Sequence, residues 1–351
     1  MTDALRAFDA ARLQTLTARF RGVRVAVLGD FFLDKYFDVD PALAETSLET
    51  GRCAHQVVGI RHAPGAAGTV VNNLAALGAG PTVALGFTGE DGDGWELRQD
   101  LAALGCDLTH LHVAPECVTP TYLKPRDLTR PGLAGEHDRY DIKNRRPVPA
   151  RIGQALLASL DAVLPRLDAL IVMDQVPEEG LGVMSGALIA ALAERAPRFP
   201  KTVFWADSRR RIRQYRNVIA KPNQFELVGA NDPLPGASVP DAVLSAEAEA
   251  FAATLGAPVF VTAERRGVRV SGPGPVTVPP VTVSGPIDPT GAGDSFTAGA
   301  VLALAAGASR PEAALIGNLV ASVTIRQLGT TGTASPADLM PALALWKEQH
   351  S

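Results

Sequence analysis

Short, almost purely apolar runs that end in a polar residue recur along this chain, and helix-patterned segments separate most of them. Val23 to Leu28, Val83 to Phe87, Ala169 to Met173, Thr202 to Trp205, Val218 to Ala220 and Pro258 to Val261 have this form. A strand that is apolar on both sides needs cover on both faces, which is the situation of strands in parallel sheets. Between them, Val70 to Leu77, Trp95 to Leu104, Ile152 to Leu164, Leu181 to Arg195 and Ala242 to Leu255 repeat apolar residues at helical spacing. Such alternation predicts an α/β fold with a doubly wound, mostly parallel sheet flanked by helices. Leu5, Phe8, Leu13, Leu16 and Phe20 predict one further amphipathic helix over residues 3 to 20.

Two stretches break the alternation, residues 37 to 62 and residues 107 to 147, where prolines, threonines and charges mix. Long insertions of this kind are usually lids or binding loops. Gln56 to Ile60 and Thr119 to Leu123 are the candidate lid strands. With 351 residues, 46% of them hydrophobic, and no internal repeat or low-complexity linker, the expectation is a single domain over 1–351 that carries a small β lid.

The net charge of -4 offers no basic excess, so neither nucleic acid nor an anionic membrane is an expected partner. Cys53, Cys106 and Cys117 have no CxxC spacing and no even count, which fits a reducing compartment. Asp3, Arg6, Asp9 and Arg12 interrupt the N-terminal apolar residues, and no run approaches the roughly 18 apolar residues of a membrane span. A cytoplasmic location is therefore expected.

Chemistry-bearing residues gather just past the strands. Asp30 and Asp34 follow the first, Asp174 the third, Asp207 the fourth, Lys221-Pro222-Asn223 the fifth and Thr262 the sixth, and Asp288 follows Val281-Thr282-Val283. Open α/β sheets bind ligands outside the carboxyl ends of their strands, so these residues share one rim.

The most informative of these segments is Asp288-Pro289-Thr290-Gly291-Ala292-Gly293-Asp294-Ser295-Phe296, a tight turn leading into a helix that runs through Leu304. Gly291, Ala292 and Gly293 let an anion approach the backbone, and the first N–H groups of a helix have no internal partner. A carboxylate beside a phosphate hole is electrostatically misplaced unless it takes a proton from an incoming nucleophile, the role this pattern gives Asp294. An acidic first-turn residue placed for the helix dipole is the bland alternative. No Gly-x-x-x-x-Gly-Lys-Ser/Thr loop is present, which disfavours a P-loop kinase.

With these residues in view, the chain resembles the ribokinase-like (PfkB) carbohydrate kinases along most of its length, and among them the branch that phosphorylates heptose 7-phosphate. The resemblance makes Asp294 the base and Gly291 to Gly293 the anion hole. It implies that Asp34, within Gly29 to Asp34, binds sugar hydroxyls, with Gly65 and Thr69 also on the acceptor side. It implies that Asn223 and Glu226 of Lys221-Pro222-Asn223-Gln224-Phe225-Glu226 help place Mg²⁺ and the phosphates of ATP, although Asn and Glu at this spacing also spell a helix capping box. Thr262, Gly267 and Asn318 fall to the nucleotide side, with Leu328 to Thr331 as a wall of the adenine pocket, and Asp288 and Thr290 to a K⁺ site. The implied activity is transfer of the ATP γ-phosphate to a sugar or sugar phosphate, with a homodimer through the lid as the candidate assembly. A nucleoside or vitamin kinase of the same superfamily, or a non-catalytic nucleotide or sugar sensor, is the alternative.

The chain departs from the family pattern at three positions. Ala66 stands where a second glycine is usual, Thr69 where a sugar-binding Asn is usual, and Glu264 where a small residue is usual. Asp91-Gly92-Asp93-Gly94 reads as a turn before a helix, because the twelfth position of a calcium loop would be Ala102. His110 and His112 lack partners spaced for a metal site. Arg209, Arg210, Arg211, Arg213 and Arg216 read as a solvated helix face or as a contact to phosphate.

Overall fold

The computed structural model describes residues 3–130, 132–272 and 274–350. In chain order its strands are β1 (Val25–Gly29), β2 (Phe31–Val39), β3 (Glu45–Thr46), β4 (Cys53–Ala54), β5 (Val57–Ala66), β6 (Thr82–Thr88), β7 (Leu111–Val113), β8 (Thr121–Asp127), β9 (Tyr140–Ile142), β10 (Ala169–Asp174), β11 (Val203–Ser208), β12 (Ile219–Ala220), β13 (Phe260–Thr262), β14 (Val268–Val270) and β15 (Val276–Val278). The main sheet has the order β12-β11-β10-β1-β6-β7, and all its neighbours pair in parallel. Its central strands β1 and β10 are buried at every residue, as their unbroken apolar runs require.

Alternate side chains of these strands feed two separate cores. Val25, Val27, Ile171 and Trp205 pack with the helices Ala67–Ala76, Ala292–Ala305 and Arg310–Thr324 on one face. Ala26, Leu28, Val172 and Ala206 pack with Ala150–Val163, Gly186–Arg195 and Asp241–Leu255 on the other. At about 25 cal/mol per Å² of apolar surface, these two layers dominate the stability of the molecule.

A second sheet, β5-β2-β8-β9, stands at the carboxyl end of β1. Only Asp30 separates β1 from β2. In register Asp34 lies beside Tyr122 and Tyr36 beside Lys124, so the period-2 alternation of strands puts Phe32, Asp34, Tyr122 and Lys124 on one face. This sheet starts at Phe31, earlier than the expected 37, and Leu111–Val113 of the second insertion joins the main sheet through β6 instead.

Three other expectations are corrected. Residues 3 to 20 form two helices, Asp3–Ala7 and Ala10–Thr17, because the Asp9 carboxylate accepts the Arg12 N–H at 2.8 Å and starts a new helix. β13 pairs antiparallel with β14 in a separate three-stranded sheet, and among the described residues single bridges join this region to β12 at Ala220 to Val259 and to the segment after β12 at Asn223 to Thr262. Val281-Thr282-Val283 is not a strand; β15 ends at Val278, and the loop after it runs over two prolines.

Candidate active site

The turn Pro289 to Gly291 ends with Gly291 at φ 76°, the left-handed region that glycine occupies without strain, and the helix Ala292–Ala305 follows. A Cβ at Gly291 would stand 3.4 Å from the Thr69 methyl and 3.5 Å from that of Thr331. Gly293 and Asp294 lie in the first turn, where N–H groups lack intrahelical acceptors. Ala292 differs from expectation, because its N–H already donates to the Pro289 carbonyl at 3.1 Å.

Asp294 is half-buried beside a cluster of charge. Lys221 and Asp207, both buried, form an ion pair at 2.9 Å. The Lys221 Nζ would be 3.5 Å from a Cβ on Gly293, so an ammonium stands at the mouth of the anion turn. Burial pushes the Asp294 carboxyl up to about 7, helped by Asp207 and opposed by Lys221 and Arg209. Glu226 rises to about 7 for the same reasons, burial first and Asp207 second. Burial alone would lower the Lys221 pKa, but Asp207 and Glu226 outweigh it and hold the ammonium charged.

Asn223 and Glu226 form the capping box that their spacing spells. Asn223 Oδ1 accepts the Phe225 and Glu226 N–H groups at 2.8 and 2.9 Å, and Glu226 Oε2 accepts the Asn223 N–H at 2.7 Å. The box is also a positioning device, since it sets Glu226 against the Asp207 and Lys221 pair.

On the acceptor side, Asp34 is buried and Lys124 Nζ lies 3.1 Å from its Oδ1. Gly65 leaves room for this carboxylate, because a Cβ there would stand 3.2 Å from Asp34 Cγ. Thr69 turns inward: its hydroxyl donates to the Pro64 carbonyl at 3.4 Å and its side chain is buried. Asp30, also buried, accepts N–H groups from Gln175, Val176 and Val183 at 2.7 to 2.9 Å and so anchors the loop after β10. Burial, with Asp174 second, lifts its carboxyl to about 6.

The remaining sequence candidates have visible structural duties. Thr262 donates its N–H to the Pro222 carbonyl at 3.0 Å and so ties β13 to the Asn223 segment. Gly267, at φ 79°, would put a Cβ 2.2 Å from the Val278 carbonyl oxygen. Asn318 donates to the Pro279 carbonyl at 3.1 Å. Asp288 accepts the Thr290 and Gly329 N–H groups at 3.0 and 3.1 Å and staples the two loops together.

Two of the three departures from the family pattern coincide with backbone strain. Ala66 sits at φ 52°, ψ -116° and Glu264 at φ 50°, conformations that favour glycine. Glu264 is exposed.

The arginine cluster is not a helix face. Arg211 is buried against Asp174, which also accepts from Ser208 Oγ at 2.6 Å and Tyr215 OH at 3.2 Å. Arg209 alone reaches toward the second sheet, donating to Gln175 Oε1 at 2.9 Å. Sequence reasoning did not assign Lys124 to the site; it placed Lys221 on the rim without a role, left Arg209 as one of a group that could contact phosphate, and put Thr331 in a wall of the adenine pocket, whereas Thr331 lies beside Gly291. Lys124 carried a signal, since it alternates in phase with Tyr122 one residue past the expected lid strand Thr119 to Leu123, and β8 continues through it. Thr331 Oγ1, buried beside Gly291, has no hydrogen-bond partner among the described residues. His112 bonds Ser159 at 3.0 Å, and no cluster of His, Cys, Asp and Glu able to hold a metal ion occurs among the described residues.

The fold is that of the ribokinase-like α/β proteins. The architecture is similar to phosphofructokinase-2 from Escherichia coli (TM-score 0.67, 19% identity, 93% of this chain and 99% of that one) and to Arabidopsis thaliana ribokinase complexed with ribose and ATP (TM-score 0.64, 15% identity, 92% and 98%). Residues 38–338 match the pfkB family of carbohydrate kinases, and the chain belongs to that family. It is therefore a sugar or sugar-phosphate kinase. Curated relatives include the bifunctional protein HldE of Trichlorobacter lovleyi, 28% identical over 96% of this chain, and that of Azorhizobium caulinodans, 30% identical over 91%. The chain spans 66% and 64% of the length of those two relatives. Among the described residues no helix is long and apolar enough to cross a membrane.

Proposed function

We propose that the chain transfers the γ-phosphate of ATP to a hydroxyl of a heptose-phosphate-like sugar. The observation that carries the transfer chemistry is Asp294, held near neutrality beside an open helix N-terminus and the Lys221 ammonium. Asp294 accepts the proton of the attacking hydroxyl, the hydroxyl oxygen bonds to the γ-phosphorus in line, and ADP departs with the bridging oxygen. The Gly293 and Asp294 N–H groups and Lys221 neutralise charge on the moving phosphoryl group. Asp34, bridged to Lys124, fixes the acceptor by its hydroxyls, since a carboxylate accepts from two of them at once. The acceptor assignment is supported by the resemblance to the heptose 7-phosphate branch and by the HldE relatives.

The residues fit Mg²⁺ carried in with ATP rather than caged by the protein. Glu226 and Asp207 add acidic charge that Lys221 only partly offsets, and Mg²⁺ is usually held by one or two carboxylates, waters and substrate phosphates. Glu226 and Asp207 are the residues that would help hold Mg²⁺, which when bound would neutralise charge on the phosphates. A K⁺ ion near Asp288 and Thr290 belongs to the same reading: each Asp288 oxygen accepts one N–H and keeps a further lone pair. Phosphofructokinase-2 from Escherichia coli, similar in fold, has a structure in complex with potassium.

ATP consumption measured over hexoses, pentoses, heptose phosphates and nucleosides, in K⁺ and then Na⁺ buffer, tests the reading. The highest kcat/KM on a heptose phosphate is expected. A free sugar or nucleoside ranking first would overturn the acceptor assignment.

A further inference from the structure

Where the second sheet meets the rim, a recess of about 40 Å³ is lined by residues that include Phe32, Tyr122, Lys143, Asn144, Gln175 and Arg209. Its walls are tied in place. The buried Asn144 accepts from the Val118 N–H at 2.9 Å and donates to the Val118 carbonyl at 3.1 Å, fixing the segment that bears Lys143. The buried Gln175 holds Arg209 by Nε, and Phe32 meets the Tyr122 ring edge-on with centroids 5.2 Å apart. At roughly 10–15 Å³ of such volume per water, the recess has room for a group the size of about three waters, comparable to one phosphate.

Its charge is unbalanced toward the positive. The cations of the lining are Lys143 and Arg209, and its single acid is the exposed Glu178. Arg209 makes no ion pair within 4.0 Å among the described residues, its charge acting at longer range on Asp294 and Glu226, and Lys143 Nζ lies 4.0 Å from Asp141. Arg139 stands 4.3 Å from the Tyr122 ring centroid, but Asp141 neutralises it through two hydrogen bonds of 2.6 and 3.0 Å. An arginine with its terminal amino groups uncommitted, beside a lysine, is the usual equipment for a phosphate dianion.

The recess is also placed to serve the acceptor. Tyr122 is the register partner of Asp34, and Phe32 lies on the same strand face as Asp34. The Val176 to Leu181 wall leads toward Gly186–Arg195 on one side of the main sheet, whereas Asp294 starts a helix packed on the other side. Arg209 of the recess and Asp34 beside Tyr122 both act electrostatically on Asp294, so recess, Asp34 and Asp294 belong to one stretch of rim.

We propose that this recess receives the phosphate that the acceptor already carries, held by Arg209 and Lys143. The assignment rests on the sugar-phosphate reading above and adds the residues that enforce it. It keeps one phosphate at the recess and the other at the anion turn, so two like-charged groups do not compete for a single hole.

The test compares sugar phosphates with their dephosphorylated counterparts as acceptors for the wild type, Lys143→Gln, Arg209→Gln and Arg209→Lys. In each Gln variant the ratio of kcat/KM for the phosphorylated over the plain acceptor should fall about tenfold or more, through KM, with Arg209→Lys recovering part of the loss. Inorganic phosphate should inhibit the wild type competitively against the acceptor. A ratio within twofold of wild type in both Gln variants overturns the subsite while leaving the kinase reading intact. A rise in KM for ATP instead of the acceptor also overturns it. Turnover of plain sugars only, with no sugar phosphate used by the wild type, defeats both readings.

Discussion

Asp294 does two things that pull against each other. As a base it must be ionised, and its carboxyl titrates near 7 because burial and Asp207 disfavour the charge. The rate should therefore rise with pH through about 7 and level off above it. Asp294→Asn should lower kcat by roughly 10² to 10⁴ and abolish that acid limb while ATP still binds; turnover near the wild-type level would remove Asp294 from the chemistry. The same shift sets a sign for stability. With 3.8 as the ordinary value and about 7 in the folded chain, the folded state binds more protons between those limits, so stability falls as pH rises through the window. Asp294→Asn should thus stabilise the protein at pH 8, by on the order of 1–2 kcal/mol for a half-buried group, and leave it nearly unchanged at pH 4. Denaturant titrations at the two pH values check the sign. Ala66 offers a second residue-scale test. At φ 52°, ψ -116° it holds a conformation built for glycine, and Ala66→Gly should raise stability by about 1 kcal/mol. A loss of stability in that variant would mean the strain is illusory.

At the scale of elements, the segment after β11 separates arginines that look alike in sequence. Arg211 is buried on Asp174, so Arg211→Ala should cost about 3–5 kcal/mol by leaving an unpaired buried carboxylate. Arg210, exposed and 3.7 Å from an exposed Asp232, should change stability by less than about 0.5 kcal/mol when replaced by Ala. Equal melting temperatures for the two variants would contradict this. The contrast also shows what a sequence can disclose. Strands β1, β10 and β11 were readable because a two-sided apolar run has few other uses, and the Gly291 to Asp294 turn was readable because its chemistry is local. Burial of Arg211 was not, since it depends on Asp174 from a strand 37 residues earlier. Lys124, and the role though not the rim position of Lys221, escaped for the same reason: each gains its meaning from a carboxylate brought in by pairing, Asp34 and Asp207. Val281 to Val283 failed in the opposite direction, having strand-like residues with no partner to pair with.

Across the whole molecule, the second sheet leaves an apolar face uncovered. Ile60, at 57% exposed, and Tyr140, at 63%, lie with Ile142 on the side turned away from Asp34. We propose that a second copy of the chain covers this face. Ile60→Asp combined with Tyr140→Asp should shift the mass found by sedimentation from dimer to monomer, and a monomeric wild type would end the idea. The two-layer core and the position of the rim followed from periodicity, and the expected lid strands Gln56 to Ile60 and Thr119 to Leu123 overlap β5 and β8 of the second sheet, whereas β2 was not legible because it follows β1 after a single residue and reads as its continuation.

Asp30 has a mechanical consequence. Its N–H donates to Met173, its carbonyl accepts from Ala67, and its carboxylate holds the three amides of Gln175, Val176 and Val183. It is the only residue between β1 and β2, and the return crossing at Ala66 is paired directly beside it with Phe31. Two crossings this close together act as one joint, so the residue that caps β1 also sets where Asp34 stands over the rim, and a change at Asp30 is felt by the acceptor side and by the loop after β10 at once.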